Sequence, residues 1–171
     1  FYVGVGEIGV DLYWDQSMCE EQLSAFEEQL KWSIEKDLPV SIHFRNALNE
    51  VIQSIERVGS KRLRGVFHSF GGSKEELQQI LALNNFMVGV NGVATFKNAA
   101  VAETLASCPH DKVILETDSP YLAPVPFRGK RNESSYITFI ARRMASIWQI
   151  SEEELATITT RNASQLFNLT M

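Results

Sequence analysis

The sequence predicts an α/β protein of the (β/α)8 TIM-barrel type, with only about the last five βα units present. Three observations carry that expectation. Strand-like and helix-like segments alternate with short connections, which requires parallel strands and right-handed crossovers. No glycine-rich phosphate loop follows the first strand, which argues against a doubly wound nucleotide-binding sheet. Polar side chains recur at the C-terminal ends of several different strands, where barrel enzymes keep their chemistry.

The elements follow in order. FYVGVGEIG is rich in β-branched and aromatic residues, the composition of a strand. Because the chain opens inside that strand and without methionine, it is expected to be a fragment, with about three barrel units upstream. From Ser17 to Lys36, Leu23, Phe26, Leu30 and Ile34 recur at helical spacing. PVSIHF is the second strand, followed by a helix over Asn46 to Val58 with Val51, Ile52, Ile55 and Val58 on one face. RGVFHSF is the third, leading into a helix opened by the capping box Ser73 to Glu76 and carrying Leu77, Ile80 and Leu81. FMVGVNGV precedes a short helix with Val101 and Leu105, and VILETD is the fifth strand. After a proline-rich loop come a helix around Tyr136 to Ile147, another opened by the capping box Ser151 to Glu154, and NASQLF as a last helical turn or two.

At 171 residues and 44% hydrophobic, residues 1–171 are expected to form a single domain with a substantial core. No stretch approaches the roughly 20 apolar residues of a membrane span, and no signal core is present, so a cytoplasmic protein with no membrane association is expected. Cys19 and Cys108 lie in no metal-binding spacing and fit a reducing compartment. The net charge of −5 repels polyanions, which excludes a general nucleic-acid coating role and confines any phosphate contact to local patches.

Period-two alternation sorts side chains by face. Val3, Val5 and Glu7 share a side; so do Ser41 and His43, Val66 and His68, and Ile114, Glu116 and Asp118. Each of these four strands thus offers one carboxylate or imidazole near its C-terminal end. Glu7, His43, His68 and Asp118 together suit a divalent ion such as Zn²⁺, Mn²⁺ or Mg²⁺. Taken singly, each has a plainer reading: Glu7 paired with Arg45, Asp118 capping the turn into Ser119-Pro120, and the histidines hydrogen-bonded in the core. Glu116 reads as a structural hydrogen-bonder, and Asp11 and Asp15 as turn or cap residues.

GEIGVD, PVSIHFRNA, FHSFGGS, GVATFKNA, ILETDSPYLAPVPFRGKRNE and NASQLF, in that order, resemble the TatD family of metal-dependent DNases. The resemblance implies that Glu7 bridges two divalent metal ions (Mg²⁺, Mn²⁺ or Zn²⁺), that His43 and His68 are ligands, and that Asp118 is both a ligand and the residue that orients or deprotonates the attacking water. The reaction implied is hydrolysis of DNA phosphodiesters, with single strands or 3′ ends as the expected form of substrate and no obligate protein partner. The family's HxH motif is absent from these residues, FHSFGG stands for HCFSG, and NESSY stands for NEPxY. Arg45, Arg128, Lys130 and Arg131 are candidate DNA-backbone contacts, the alternative for RGKR being a solvated turn paired with Glu133. Phe96 and Tyr121 are candidates to stack on bases or to pack locally. Two rival functions are an amide or lactam hydrolase of the related amidohydrolase-like barrels, and a catalytically inactive barrel serving as a scaffold.

Overall fold

The computed structural model describes residues 2–97 and 100–169. Phe1 of the first predicted strand, and Asn98 and Ala99 of GVATFKNA, lie outside the described residues. The strands are β1 (Val5–Asp11), β2 (Val40–Arg45), β3 (Gly65–Phe67), β4 (Phe86–Val90) and β5 (Val113–Leu115). The helices are α1 (Cys19–Lys36), α2 (Leu48–Val58), α3 (Lys74–Ala82), α4 (Val101–Leu105), α5 (Ile137–Trp148) and α6 (Glu152–Phe167). The strands form one sheet in sequence order, and the pairings β1/β2, β2/β3 and β4/β5 are parallel. The order never reverses, so there is no topological switch point of the doubly wound kind, and the progression is that of a barrel.

Two compact units make up the chain: Phe1–His68 with Gln79–Met87 and Ser164–Met171, and Ser69–Gln78 with Val88–Ala163. In the first unit, Phe26, Leu30, Val40, Ile42, Val51 and Ile55 are buried. Phe67 meets Phe44 and Phe86 edge to face, with ring centroids 5.5 Å apart in each pair. Such pairs add about 0.5–1.5 kcal/mol beyond their area burial. Helices α1 and α2 are tied by Glu27, whose Oε1 accepts from Arg57 Nη2 at 2.6 Å, Arg57 Nε at 2.8 Å and Ser54 Oγ at 3.0 Å. α1 ends in the left-handed conformation at Asp37, a position that favours glycine. Arg64 clamps it, donating to the Asp37 carboxylate at 2.6 Å and to its carbonyl at 2.7 Å.

In the second unit, Leu77, Val88, Val90, Leu105, Ile140, Met144 and Leu155 form the core. Trp148 donates from its indole to the Leu105 carbonyl at 2.9 Å and stacks on His110 at 4.0 Å. The capping box at α3 is reciprocal, Ser73 N–H donating to Glu76 at 2.7 Å and Glu76 N–H to the Ser73 hydroxyl at 3.2 Å. NASQLF does not form a separate turn; it continues α6 in one helix. Cys108 is buried and its thiol is pushed up to about 12 by burial, then by Asp111, so it is not ionised at neutral pH.

Candidate metal centre

The centre begins with a spacing in β1. Glu7, Gly9 and Asp11 alternate on one side of the strand, and Gly9 stands directly opposite His43 of β2. A Cβ at Gly9 would fall on the His43 carbonyl oxygen, and Gly9 has φ +150°, so only glycine lets the two strands approach here. The His43 ring is flanked by both carboxylates. Its Nδ1 lies 3.1 Å from Glu7 Oε1, and its Nε2 lies 3.0 Å from Asp11 Oδ2. The register of β1 shifts between Val5 and Ile8. The strict alternation expected through Val3, Val5 and Glu7 is therefore interrupted by a bulge just where the first carboxylate is aimed.

His68 follows the last residue of β3, its N–H bonded to the Ile42 carbonyl at 2.9 Å. Its Nε2 is 3.9 Å from Glu7 Oε2, too far for a hydrogen bond and suited to an ion between them. One donor atom from each of Glu7, His43 and His68 lies within 4.8 Å of the others. Donors about 2.0–2.2 Å from a tetrahedral ion stand about 3.3–3.6 Å apart, so the widest pair must close by a little over about 1 Å, within reach of side-chain rotation. Two imidazoles and a carboxylate are a fitting set for Zn²⁺ or Mn²⁺.

Asp11 is the residue the sequence reading placed only in a turn. It does make that turn: Oδ1 accepts from Tyr13 N–H at 3.0 Å. Its second oxygen faces His43, and Gln22 fixes its backbone from both sides, accepting from Asp11 N–H at 2.8 Å and donating to the Asp11 carbonyl at 3.1 Å. Burial opposes ionisation of Asp11, but the Tyr13 N–H, the His43 hydrogen bond and the nearby charges of His43 and Arg45 outweigh it and hold the carboxyl below its ordinary value. Asp11 thus fixes the His43 ring from the side opposite Glu7, as an outer carboxylate does for a ligating histidine. The signal was present in Glu7-x-Gly9-x-Asp11, three same-side positions facing His43. Asp15 accepts from Ser17 N–H at 2.8 Å, a turn bond rather than a helix cap, since α1 starts at Cys19 with no side-chain cap. Arg45 is not paired with Glu7; its guanidinium lies 3.6 Å from the centroid of the Tyr13 ring.

In the second unit β5 ends at Leu115, so Glu116 and Asp118 lie beyond the strand and the alternation that grouped them with Ile114 does not extend to them. Glu116 Oε1 accepts from Ser69 N–H at 2.5 Å, a structural bond as expected. Asp118 has φ +58°, and its carbonyl accepts from Tyr121 N–H at 2.8 Å, closing the turn. The loop beyond is held by Asn132. That buried side chain donates to the carbonyls of Thr117 at 2.6 Å and Tyr121 at 2.5 Å, and accepts from Glu133 N–H at 2.9 Å. Arg128, Lys130 and Arg131 are exposed, and none pairs with a carboxylate among the described residues. Arg128 lies 4.0 Å from the Phe96 ring centroid, so Phe96 packs locally, while Tyr121 is exposed.

A barrel-type parallel sheet thus carries an imidazole–carboxylate donor cluster on β1, on β2 and just after β3, an arrangement suited to a divalent ion. The family model "TatD related DNase" matches residues 1–168, and the chain belongs to that family, whose fold is the (β/α)8 barrel. Metal-dependent hydrolase YabD of Bacillus subtilis is 39% identical over 168 residues, 98% of this chain and 66% of that protein. The 3′-5′ ssDNA/RNA exonuclease TatD of Pantoea vagans is 35% identical over 173 aligned residues, again 98% of this chain and 66% of that protein. The crystal structure of YjjV, a TatD homologue from Escherichia coli K12, superposes with a TM-score of 0.90 at 29% identity, covering 98% of this chain and 64% of that one. The chain thus spans 63–66% of the length of the curated relatives it matches. No helix among the described residues is long and apolar enough to cross a membrane.

Proposed function

We propose that this chain carries the catalytic part of a metal-dependent phosphodiesterase that removes nucleotides from single-stranded DNA at 3′ ends. The observation that supports this reading most is the gathering of Glu7, His43 and His68 within 4.8 Å. The match to TatD-related DNases, one of them named a 3′-5′ ssDNA/RNA exonuclease, supports the substrate. The match to one family model spans residues 1–168, which supports reading 1–171 as a single domain.

When bound, a divalent ion polarises a phosphoryl oxygen and supplies a water that ionises near neutral pH; the family pattern favours two ions. Glu7, His43 and His68 would hold the metal, and Asp11 fixes the His43 ring so that Nδ1 rather than Nε2 is left to face it. Asp118, kept in a left-handed turn of the kind that clusters at functional sites, orients the attacking water and takes its proton. Arg45, Arg128, Lys130 and Arg131 contact the phosphates of the strand. Two free cysteines accord with a cytoplasmic setting.

The test is release of nucleotides from end-labelled single strands by the full chain with Mg²⁺, Mn²⁺ or Zn²⁺. Metal-dependent release from the 3′ end, abolished in Glu7→Ala and in His68→Ala with circular dichroism unchanged, is the expected result. Turnover of a dihydropyrimidine-type amide with no attack on DNA would overturn the reading in favour of an amide hydrolase.

A further inference from the structure

The loop after β1 presents two aromatic rings beside the metal centre, and nothing in the proposed chemistry uses them. Trp14 is 83% exposed and Tyr13 47% exposed, with ring centroids 4.7 Å apart and edge to face. Arg45 covers one face of Tyr13 at 3.6 Å and lies 5.9 Å from the Trp14 ring centroid.

The backbone that carries these rings is held. Leu12 is buried and its N–H donates to the Arg45 carbonyl at 2.9 Å; Tyr13 N–H is bonded to Asp11, and Ser17 N–H donates to Asp15 at 2.8 Å. A fixed loop that leaves two large rings in solvent is a presenting surface, since collapse of the rings onto the core would remove more apolar area from water.

We infer that Tyr13, Trp14 and Arg45 form a nucleobase-stacking subsite for an unpaired nucleotide next to the scissile phosphate. The inference rests on the phosphodiesterase reading for its substrate class. Two links on the molecule connect the rings to the metal centre. One carboxylate, Asp11, bonds His43 with one oxygen and the Tyr13 backbone with the other. Arg45 stands two residues after His43 on the same side of β2, an exposed cation with no carboxylate at ion-pair distance among the described residues. A guanidinium stacked on an aromatic face keeps its in-plane donors for phosphate, while flat rings accept any base, which suits an enzyme that moves along a strand whatever its sequence. Discrimination would then be for single-stranded over duplex ends, because a paired base has no free face to offer.

The test uses the full chain in the presence of chelator, titrated with oligothymidylate of about six nucleotides and with an abasic strand of equal length, followed by tryptophan fluorescence. Trp14→Phe identifies the Trp14 signal against Trp32 and Trp148. Expected are quenching of Trp14 by the base-bearing strand and binding on the order of tenfold tighter than the abasic one. That preference should be lost in Trp14→Ala and in Tyr13→Ala and largely retained in Trp14→Phe. Equal affinity for both strands in the unaltered chain, or an unchanged preference in Trp14→Ala, overturns the subsite. So does Trp14 emission that is blue-shifted and indifferent to either strand, because polypeptide would then cover the rings. Cleavage measured in parallel separates the two claims: metal-dependent hydrolysis without base preference leaves the phosphodiesterase and removes the subsite, whereas base preference without hydrolysis does the reverse.

Discussion

His43 is held between two carboxylates that serve different ends. Glu7 faces Nδ1 and turns its other oxygen toward His68 Nε2 at 3.9 Å, which groups it with the proposed metal donors; Asp11 faces Nε2 and is itself anchored by Tyr13 N–H and Gln22. Outer carboxylates of this kind fix ring tautomer and orientation, and their loss commonly costs about 10–100-fold in metal affinity. Asp11→Asn should therefore weaken binding of Zn²⁺ or Mn²⁺ by that order in a calorimetric titration, with the fold retained because the asparagine still accepts from Tyr13 N–H. Unchanged affinity would reduce Asp11 to a turn residue. That turn role is what concealed it: the sequence shows a carboxylate after a strand, where one oxygen closing an Asx turn is a sufficient explanation, and the second oxygen has no signature of its own. Glu7, His43 and His68 were legible because three strands each carry one such group at comparable positions. Asn132 was not, since a buried asparagine closing a loop has no spacing pattern to betray it.

Helices were the most legible elements, because apolar periodicity and caps act locally. The box at Ser73 and Glu76 forms as read, and α1, α2 and α5 start within two residues of their expected positions. Strand ends were less legible, since β3 and β5 have only three residues and the chain leaves the sheet through left-handed positions at Ser69 and Asp118 that alternation cannot foresee. The α1–α2 pair carries its own prediction. The Arg57 hydrogen bonds, partly offset by burial and reinforced by Ser54 and the charges of Arg57 and Lys31, hold Glu27 below its ordinary 4.5. A carboxyl depressed on folding stabilises the protein above its unfolded value and loses that contribution as pH falls through its folded value. Arg57→Ala should lower the urea midpoint at pH 7, and the gap from the unaltered chain should be smaller at a pH well below 4.5. A gap of equal size at both pH values would assign the effect to packing of the arginine stem rather than to charge.

At the scale of the whole molecule, a net charge of −5 makes binding to a polyanion depend on a few placed cations. Arg128, Lys130 and Arg131 are exposed and pair with no carboxylate among the described residues, in contrast to Arg57 and Arg64, which are committed to Glu27 and Asp37. If they contact phosphates, replacing each by alanine should reduce the slope of log affinity for single-stranded DNA against log salt by about 0.7. An unchanged slope would make RGKR a solvated turn. The claim on which the rest depends is that Glu7, His43 and His68 hold a catalytic metal. Anomalous diffraction from crystals of the full chain grown with Mn²⁺ or Zn²⁺ tests it most directly. The predicted result is a peak about 2.0–2.3 Å from a Glu7 carboxylate oxygen, His43 Nδ1 and His68 Nε2. A metal-saturated crystal with no peak there, or with the ion bound elsewhere, would contradict the account.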